Sequence, residues 1–179
     1  MSKKINEHGI LELFLDDPRE RHLREVAREC TVNPMTARKY LELYTRQGLL
    51  QENTIRGDRV FKPDERNPQF IMEKKLWNYR KIILSGLISY LEETMEYPAI
   101  ILFGSYAKGE NHPKSDIDLF ILTNEKKQIA LVQFEKKLHA QIQVFLHTKQ
   151  EFKKLRKTNP ELLNNVLNGA ILSGFIEVF

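Results

Sequence analysis

Apolar positions in the first part of the chain recur with helical spacing. Ile5, Ile10, Leu11, Leu13 and Phe14 make one face over residues 5–15, and Asp16-Asp17-Pro18 ends it. Leu23, Val26, Ala27 and Cys30, at i, i+3, i+4 and i+7, predict a second short helix. Thr31-Val32-Asn33 then makes a tight turn, with Asn33 as N-cap and Pro34 at the first helical position. The third helix runs to about Gln47, turns Ala37, Leu41 and Tyr44 inward, and stops at Gly48. Leu50-Gln51-Glu52 and Arg59-Val60-Phe61-Lys62 read as the arms of a β-hairpin around residues 53–58, with Gly57-Asp58 as turn chemistry.

The polar stretch over residues 62–68, with Pro63 and Pro68, is the best domain boundary, and divides the chain into residues 1–66 and 67–179. A long helix is predicted over residues 69–96, with Trp77, Leu84, Leu87, Ile88, Leu91 and Met95 on one stripe and Pro98 ending it. At 1.5 Å per residue it spans about 40 Å, leaving its first half for an interdomain or homodimer contact. Trp77 and Tyr79 read as core or interface aromatics with no ligand role.

The rest of the chain is organised around residues 99–123, AIILFGSYAKGENHPKSDIDLFILT. The apolar run at 99–103 is too short for an isolated helix and Gly104-Ser105 cuts it off; the run at 117–122 is again β-rich. The reading is strand, glycine-containing loop, strand. Downstream, residues 125–139 predict a helix with Ile129, Val132 and Leu138 inward, and residues 140–147 a third strand of a mixed sheet. Phe152 and Leu155 mark a short helix and residues 160–168 another, before an apolar end over 169–179.

Asp116 and Asp118 sit at the mouth of the second strand, where period 2 points both carboxylates to one face. Two acids held that close repel unless something positive lies between them, and a hard divalent cation is the usual answer. The backbone N–H groups of Gly104-Ser105 suit phosphate oxygens. A solvated strand edge is the ordinary alternative for the aspartates alone, and a simple surface lysine for Lys108.

Composition changes this picture in two ways. A single cysteine, Cys30, allows no internal disulfide and no cysteine-based zinc site, and its place at a helix end reads as a small buried hydrophobe. With no apolar run of membrane-spanning length and no apolar stretch after the first basic residues, the expectation is a cytoplasmic protein with no membrane partner. The net charge of +4 is mild, but nine of the eleven arginines lie in residues 1–66 and thirteen of the seventeen lysines lie after them. Arginine is favoured where phosphates or guanine edges are bound bidentately. P-loop, zincin and α/β-hydrolase motifs are absent, His139 and His147 have no partner at metal spacing, and His112 reads first as a solvated loop histidine and second as a phosphate contact.

Gly104-Ser105 followed by Asp116-Ile117-Asp118, with apolar strands on both sides, resembles the signature of the DNA polymerase β-like nucleotidyltransferase superfamily. GSYAKGE and SDIDLFIL are most similar to its minimal archaeal and bacterial members. The stretch TVNPMTARKYLELYTRQGLL plus the hairpin resembles the winged helix-turn-helix of prokaryotic regulators. Together they imply an α+β protein: an N-terminal winged helix-turn-helix, then a nucleotidyltransferase-fold mixed sheet flanked by helices.

The first resemblance implies a nucleoside triphosphate, with magnesium (or manganese) held by Asp116 and Asp118, as catalytic and metal-binding residues. Triphosphate oxygens fall to Gly104, Ser105 and, in addition, Lys108. The implied reaction moves a nucleoside monophosphate to a hydroxyl acceptor. The second resemblance implies duplex DNA, met by Met35, Thr36, Arg38 and Lys39 on the third helix and by Arg56 and Arg59 on the wing. One part departs from the superfamily pattern. Its third carboxylate falls on the strand Gln141-Ile142-Gln143-Val144-Phe145, where glutamine occupies both inward options, and Glu135 and Glu151 lie too far along the chain for assignment. Two readings follow: a metal-dependent nucleotidyltransferase recruited by its winged domain, or a DNA-binding, antitoxin-like regulator whose transferase domain has weakened chemistry.

Overall fold

The computed structural model describes residues 8–96, 98–124 and 127–177, so the expectations for Ile5, Glu125, Val178 and Phe179 lie outside the described residues. The chain divides into two units, Met1–Trp77 and Asn78–Phe179. The division falls inside a helix rather than in the proline-flanked loop, because Phe70 and Trp77 pack with the first unit's core.

The first unit runs α1 (His8–Asp16), β1 (Arg21–His22), α2 (Leu23–Glu29), α3 (Pro34–Arg46), β2 (Leu50–Ile55) and β3 (Asp58–Pro63), and ends on the first half of α4 (Pro68–Ser85). Its three strands are antiparallel in the order β1-β3-β2. Phe14, Val26, Leu41, Phe61 and Phe70 fill the core. The start of α3 is held as its sequence requires: the Asn33 side chain accepts from the Thr36 N–H at 3.0 Å, and Pro34 follows. Strand β1 has no counterpart among the expected elements, since two residues carry no readable period.

The hairpin differs from its expected form. The turn is the pair Arg56-Gly57, both with positive φ (51° and 83°), so residues 53–55 extend β2 instead of looping. A two-residue turn with both φ positive matches the twist of the flanking strands, and glycine at its second position makes it accessible. Arg56 therefore stands at the hairpin tip and Arg59 within β3.

The second unit continues through the rest of α4, then α5 (Leu87–Thr94), β4 (Ala99–Phe103), α6 (Gly104–Lys108), β5 (Ile117–Leu122), α7 (Val132–Leu138), β6 (Ile142–His147), α8 (Lys149–Thr158), α9 (Pro160–Leu167) and β7 (Ala170–Ser173). The sheet order is β6-β5-β4-β7, with β5 and β6 parallel and the other pairs antiparallel. Alternation along the central strands serves two cores. Ile100, Leu102, Leu119 and Ile121 pack with Leu91 and Phe134 on one face. Ile101, Phe103, Phe120 and Leu122 pack with Phe152 and Leu155 on the other. Among the described residues no helix is long and apolar enough to cross a membrane.

Four expectations are corrected. The helix expected over 69–96 is two helices, broken at Gly86, whose φ of +84° is left-handed. Ser85 secures the break, donating from Oγ to the Ile82 carbonyl and accepting from the Leu87 N–H. The shared stripe fails with it: Leu84 is 67% exposed, while Leu87 and Leu91 are fully buried. The helix expected over 125–139 begins only at Val132, which is 62% exposed; Leu138 faces the core as expected, and Phe134 takes the place given to Val132. The apolar end contains a fourth strand, β7, beside β4. The segment after β4 is the one-turn helix α6 and not an open loop.

Because nothing crowds a Cβ at Gly86, only its backbone conformation resists a side chain. Gly86→Ala should therefore destabilise the protein by about 1–2 kcal/mol in urea unfolding, and Gly86→Asn by less. An equal or stabilising alanine would mean that α4 and α5 tolerate being one helix.

Candidate functional site

Asp118 is the second residue of β5, and its position in the sheet fixes its surroundings. It registers with Phe103, the last residue of β4, on one side and with Gln143 of β6 on the other. Registered partners on neighbouring strands share a face, so the Gln143 amide lies beside the Asp118 carboxylate. Directly after Phe103 the chain turns at Gly104 with φ +70°. A Cβ on Gly104 would fall on Asp118 Oδ2, so the glycine is required by both its conformation and this close approach. Gly104 and Ser105 open α6, and Lys108 ends it, exposed.

Asp116 precedes β5 and is exposed, whereas Asp118 is half-buried. The approach to Asp116 is shaped by a tight turn in which the Ser115 side chain accepts from the His112 N–H at 2.9 Å and the Ser115 N–H donates to the His112 carbonyl. Burial, and secondarily the charge of Asp116, push the Asp118 carboxyl above its ordinary range. Among the described residues neither aspartate is ion-paired. The pair is an uncompensated negative site walled by the Gly104 backbone.

The candidates for a third acid are committed elsewhere. The Glu135 carboxylate accepts from the Ile142 N–H at 3.1 Å, capping the start of β6. Glu151 closes a capping box with Thr148 at the start of α8. Gln141 uses its backbone carbonyl to receive the Ile117 N–H. Among the described residues no group of three His, Cys, Asp or Glu could hold a metal ion. Two histidines have structural settings: His147 stacks on Phe120 at 4.9 Å, and His139 ends α7 in the left-handed region.

Sequence reading missed the residues behind the site. Asn78 and Tyr79, on α4, reach the carbonyls of Tyr106 and Ala107 in α6. The sequence signal was an asparagine within a mixed apolar and charged helix, which by itself marks nothing.

On the first unit, the residues expected to meet DNA have unequal surroundings. Met35 is 71% exposed, Thr36 is half-buried, and Lys39 is exposed with its ammonium over the Tyr40 ring. Arg56 is exposed at the hairpin tip. Arg38 and Arg59 share the Glu42 carboxylate, each at 2.8 Å, and Arg59 also pairs with Glu52. Hydrogen bonds from Arg38 and Arg59 hold the Glu42 carboxyl below its ordinary range, and those from Arg59 do so for Glu52. Part of the arginine excess is thus internal: Arg19 joins Asp17, Glu25 and Glu29, while buried Arg21 joins Asp17 and Glu29 over the Phe14 ring.

A mixed sheet with helices on both faces, carrying a glycine turn against an aspartate at the start of a central strand, fits the nucleotidyltransferase fold. Residues 86–173 match the family model described as Polymerase beta, Nucleotidyltransferase, and so form a nucleotidyltransferase-family domain. No curated protein matches the chain.

The raised Asp118 carboxyl gives a pH prediction with a definite sign. The folded state holds this proton more tightly than the unfolded state, so stability falls as pH rises from about 4 through the raised folded value. An amide cannot ionise. Asp118→Asn should therefore match the wild type near pH 3 and exceed it at pH 7, by roughly 1–3 °C in Tm, in the absence of divalent cations. A variant less stable at pH 7 would show that the carboxylate is already compensated.

Proposed function

We propose that the second unit binds a nucleoside triphosphate with magnesium or manganese and transfers its nucleoside monophosphate to a hydroxyl acceptor. The single observation that carries this reading is the close approach of Asp118 to Gly104. It sets a carboxylate beside backbone that can meet phosphate, in a nucleotidyltransferase-family domain. The donor set fits a hard cation: two oxygen acids, uncompensated, one with its carboxyl already raised by its surroundings. Asp116 and Asp118 would hold the cation. Ser105 and the Gly104 backbone would bind phosphate oxygens, with Lys108 adding charge from the end of α6. Bound there, the metal would neutralise triphosphate charge and polarise the α-phosphoryl group.

A specific observation also favours a second reading. Gln143 stands in register with Asp118, where a third acid would serve, and Glu135 and Glu151 are spent on capping. An amide neither balances a second cation nor accepts a proton from the attacking hydroxyl. On this account nucleotide binds and transfer is slow unless the acceptor supplies an acid, and the chain acts mainly as a DNA-binding regulator.

Both readings give the first unit the role of a winged helix-turn-helix on duplex DNA. Support comes from the order of its three helices and hairpin, and from exposed Met35, Lys39 and Arg56 on α3 and the turn. The cytoplasm would supply both nucleotide and DNA. A homodimer through α4 draws support from Met72, Leu76 and Ile83, exposed apolar residues at helical spacing.

Calorimetry with ATP and magnesium should show binding by the wild type and at least a tenfold loss for Asp116→Asn with Asp118→Asn. Undiminished affinity in that variant places the nucleotide elsewhere. Gln143→Asp should raise metal-dependent transfer from labelled triphosphate by tenfold or more, about 1.4 kcal/mol of barrier. Robust wild-type transfer that this change lowers would overturn the weakened-site reading.

For the first unit, a duplex should bind with affinity that falls as salt rises, through counterion release. Lys39→Ala with Arg56→Ala should weaken it more than Arg38→Ala alone, since Glu42 already neutralises Arg38. Equal, unmeasurable binding by all the proteins at low salt would remove DNA as the partner.

A further inference from the structure

We propose that Asn78 and Tyr79 are positioning residues for the nucleotide site, holding in place the single turn α6 that carries Gly104, Ser105 and Lys108. The inference rests on the nucleotide reading above and deepens it.

Helix α6 spans only Gly104–Lys108. A helix of one turn is not stable by itself, because nucleation fixes several residues for very few hydrogen bonds. Its last carbonyls also lack partners within the helix. The chain answers part of this locally: the Gly109 N–H reaches the Tyr106 carbonyl at 3.4 Å, and the Glu110 N–H reaches the Ser105 carbonyl at 3.0 Å. Helix α4 adds a second donor at the Tyr106 carbonyl and a donor at Ala107. Asn78 Nδ2 donates to the Tyr106 carbonyl at 2.9 Å, and the Tyr79 hydroxyl donates to the Ala107 carbonyl at 3.2 Å.

Asn78 does more than fill one carbonyl. Its second Nδ2 proton goes to Asn111 Oδ1 at 2.7 Å, so one amide ties the helical turn to the loop that leaves it. Asn78 is 0% exposed and Asn111 4%, which makes a missing donor costly. Both protons of the Asn78 amide are in use, and both partners are acceptors. An aspartate of the same shape has no proton to give and would set negative charge against two oxygens. Burial pushes the Tyr79 phenol up, so the hydroxyl remains a donor through the neutral range.

These two side chains lie before residue 86, where the family match begins. The turn bearing the phosphate-facing residues is therefore secured by an element outside the matched domain. Asn78 and Tyr79 act on nucleotide only through α6.

The test uses the full chain carrying Asn78→Asp, Asn78→Ala or Tyr79→Phe. Below the melting temperature, amide exchange over residues 104–111 and affinity for ATP with magnesium are measured together. The expected result for the Asn78 variants is exchange about tenfold faster, concentrated in that segment, with affinity about tenfold weaker. Tyr79→Phe should move both in the same direction by less, and it keeps the test open if the Asn78 variants do not fold. A lowered Tm with unchanged exchange at 104–111 and unchanged affinity makes these residues merely structural and overturns the proposal. If the wild type itself binds no ATP with magnesium, the nucleotide reading is what fails. The exchange result then still decides whether α4 holds the turn.

Discussion

The second unit depends on a competition for one small volume. Asp118 Oδ2 occupies the space where any side chain at position 104 would begin. The ladder makes this unavoidable: Asp118 pairs with Phe103, so the residue that follows Phe103 must turn away across the carboxylate. Only glycine does so at φ +70° without adding atoms there. The same turn starts α6 and aims its first residues at the acids. Strand register, helix start and carboxylate environment are thus one geometric fact, fixed by the apolar pairing of β4 with β5. That pairing is buried on both faces, which anchors the ionisable group at its open end.

A cost accompanies that arrangement. Half-burying a carboxylate next to a second acid, with no ion pair to either among the described residues, works against the folded state at neutral pH. Unlike Asp17, Glu29, Glu42 and Glu52 of the first unit, Asp118 is paired with no arginine among the described residues. The contrast is instructive, because Arg19, Arg21, Arg38 and Arg59 each compensate carboxylates within their own unit. Arginines pair several carboxylates on one unit and neither Asp116 nor Asp118 among the described residues, which is the arrangement the proposed cation would offset. Acidic sites of this kind are expected to trade stability for binding.

Much of this was legible in the sequence, for physical reasons that differ from place to place. Strands β4 and β5 were readable because short apolar runs bounded by glycine and aspartate admit few other structures. The start of α3 was readable because Asn33-Pro34 is a chemical instruction for a helix N-terminus. The break at Gly86 was not, since a lone glycine in an apolar periodic run is compatible with an unbroken helix, and the Ser85 hydroxyl that secures the break is visible only in three dimensions. Strand β7 was hidden because an edge strand of four residues is too short to show a period. Arginine composition suggested polyanion binding, but composition does not reveal which guanidinium groups already face a carboxylate. Arg59, between Glu42 and Glu52, is the clearest example.

The two glutamines before and within β6 show the same limit at the site itself. Alternation along a strand gave Gln141 and Gln143 equal standing, because period 2 says which residues share a face and nothing about who stands opposite. Pairing resolves it: β6 enters the sheet with Ile142 beside Ile117, so Gln143 lies next to Asp118 and Gln141 is left at the strand's entrance. What fixes that entrance is a carboxylate, since Glu135 receives the Ile142 N–H at the strand's first residue. An acid that could have served as a ligand is spent instead on setting the register that brings an amide to the site. Whatever chemistry the unit performs is bounded by that exchange, because moving Glu135 toward Asp118 would release the strand whose register defines it.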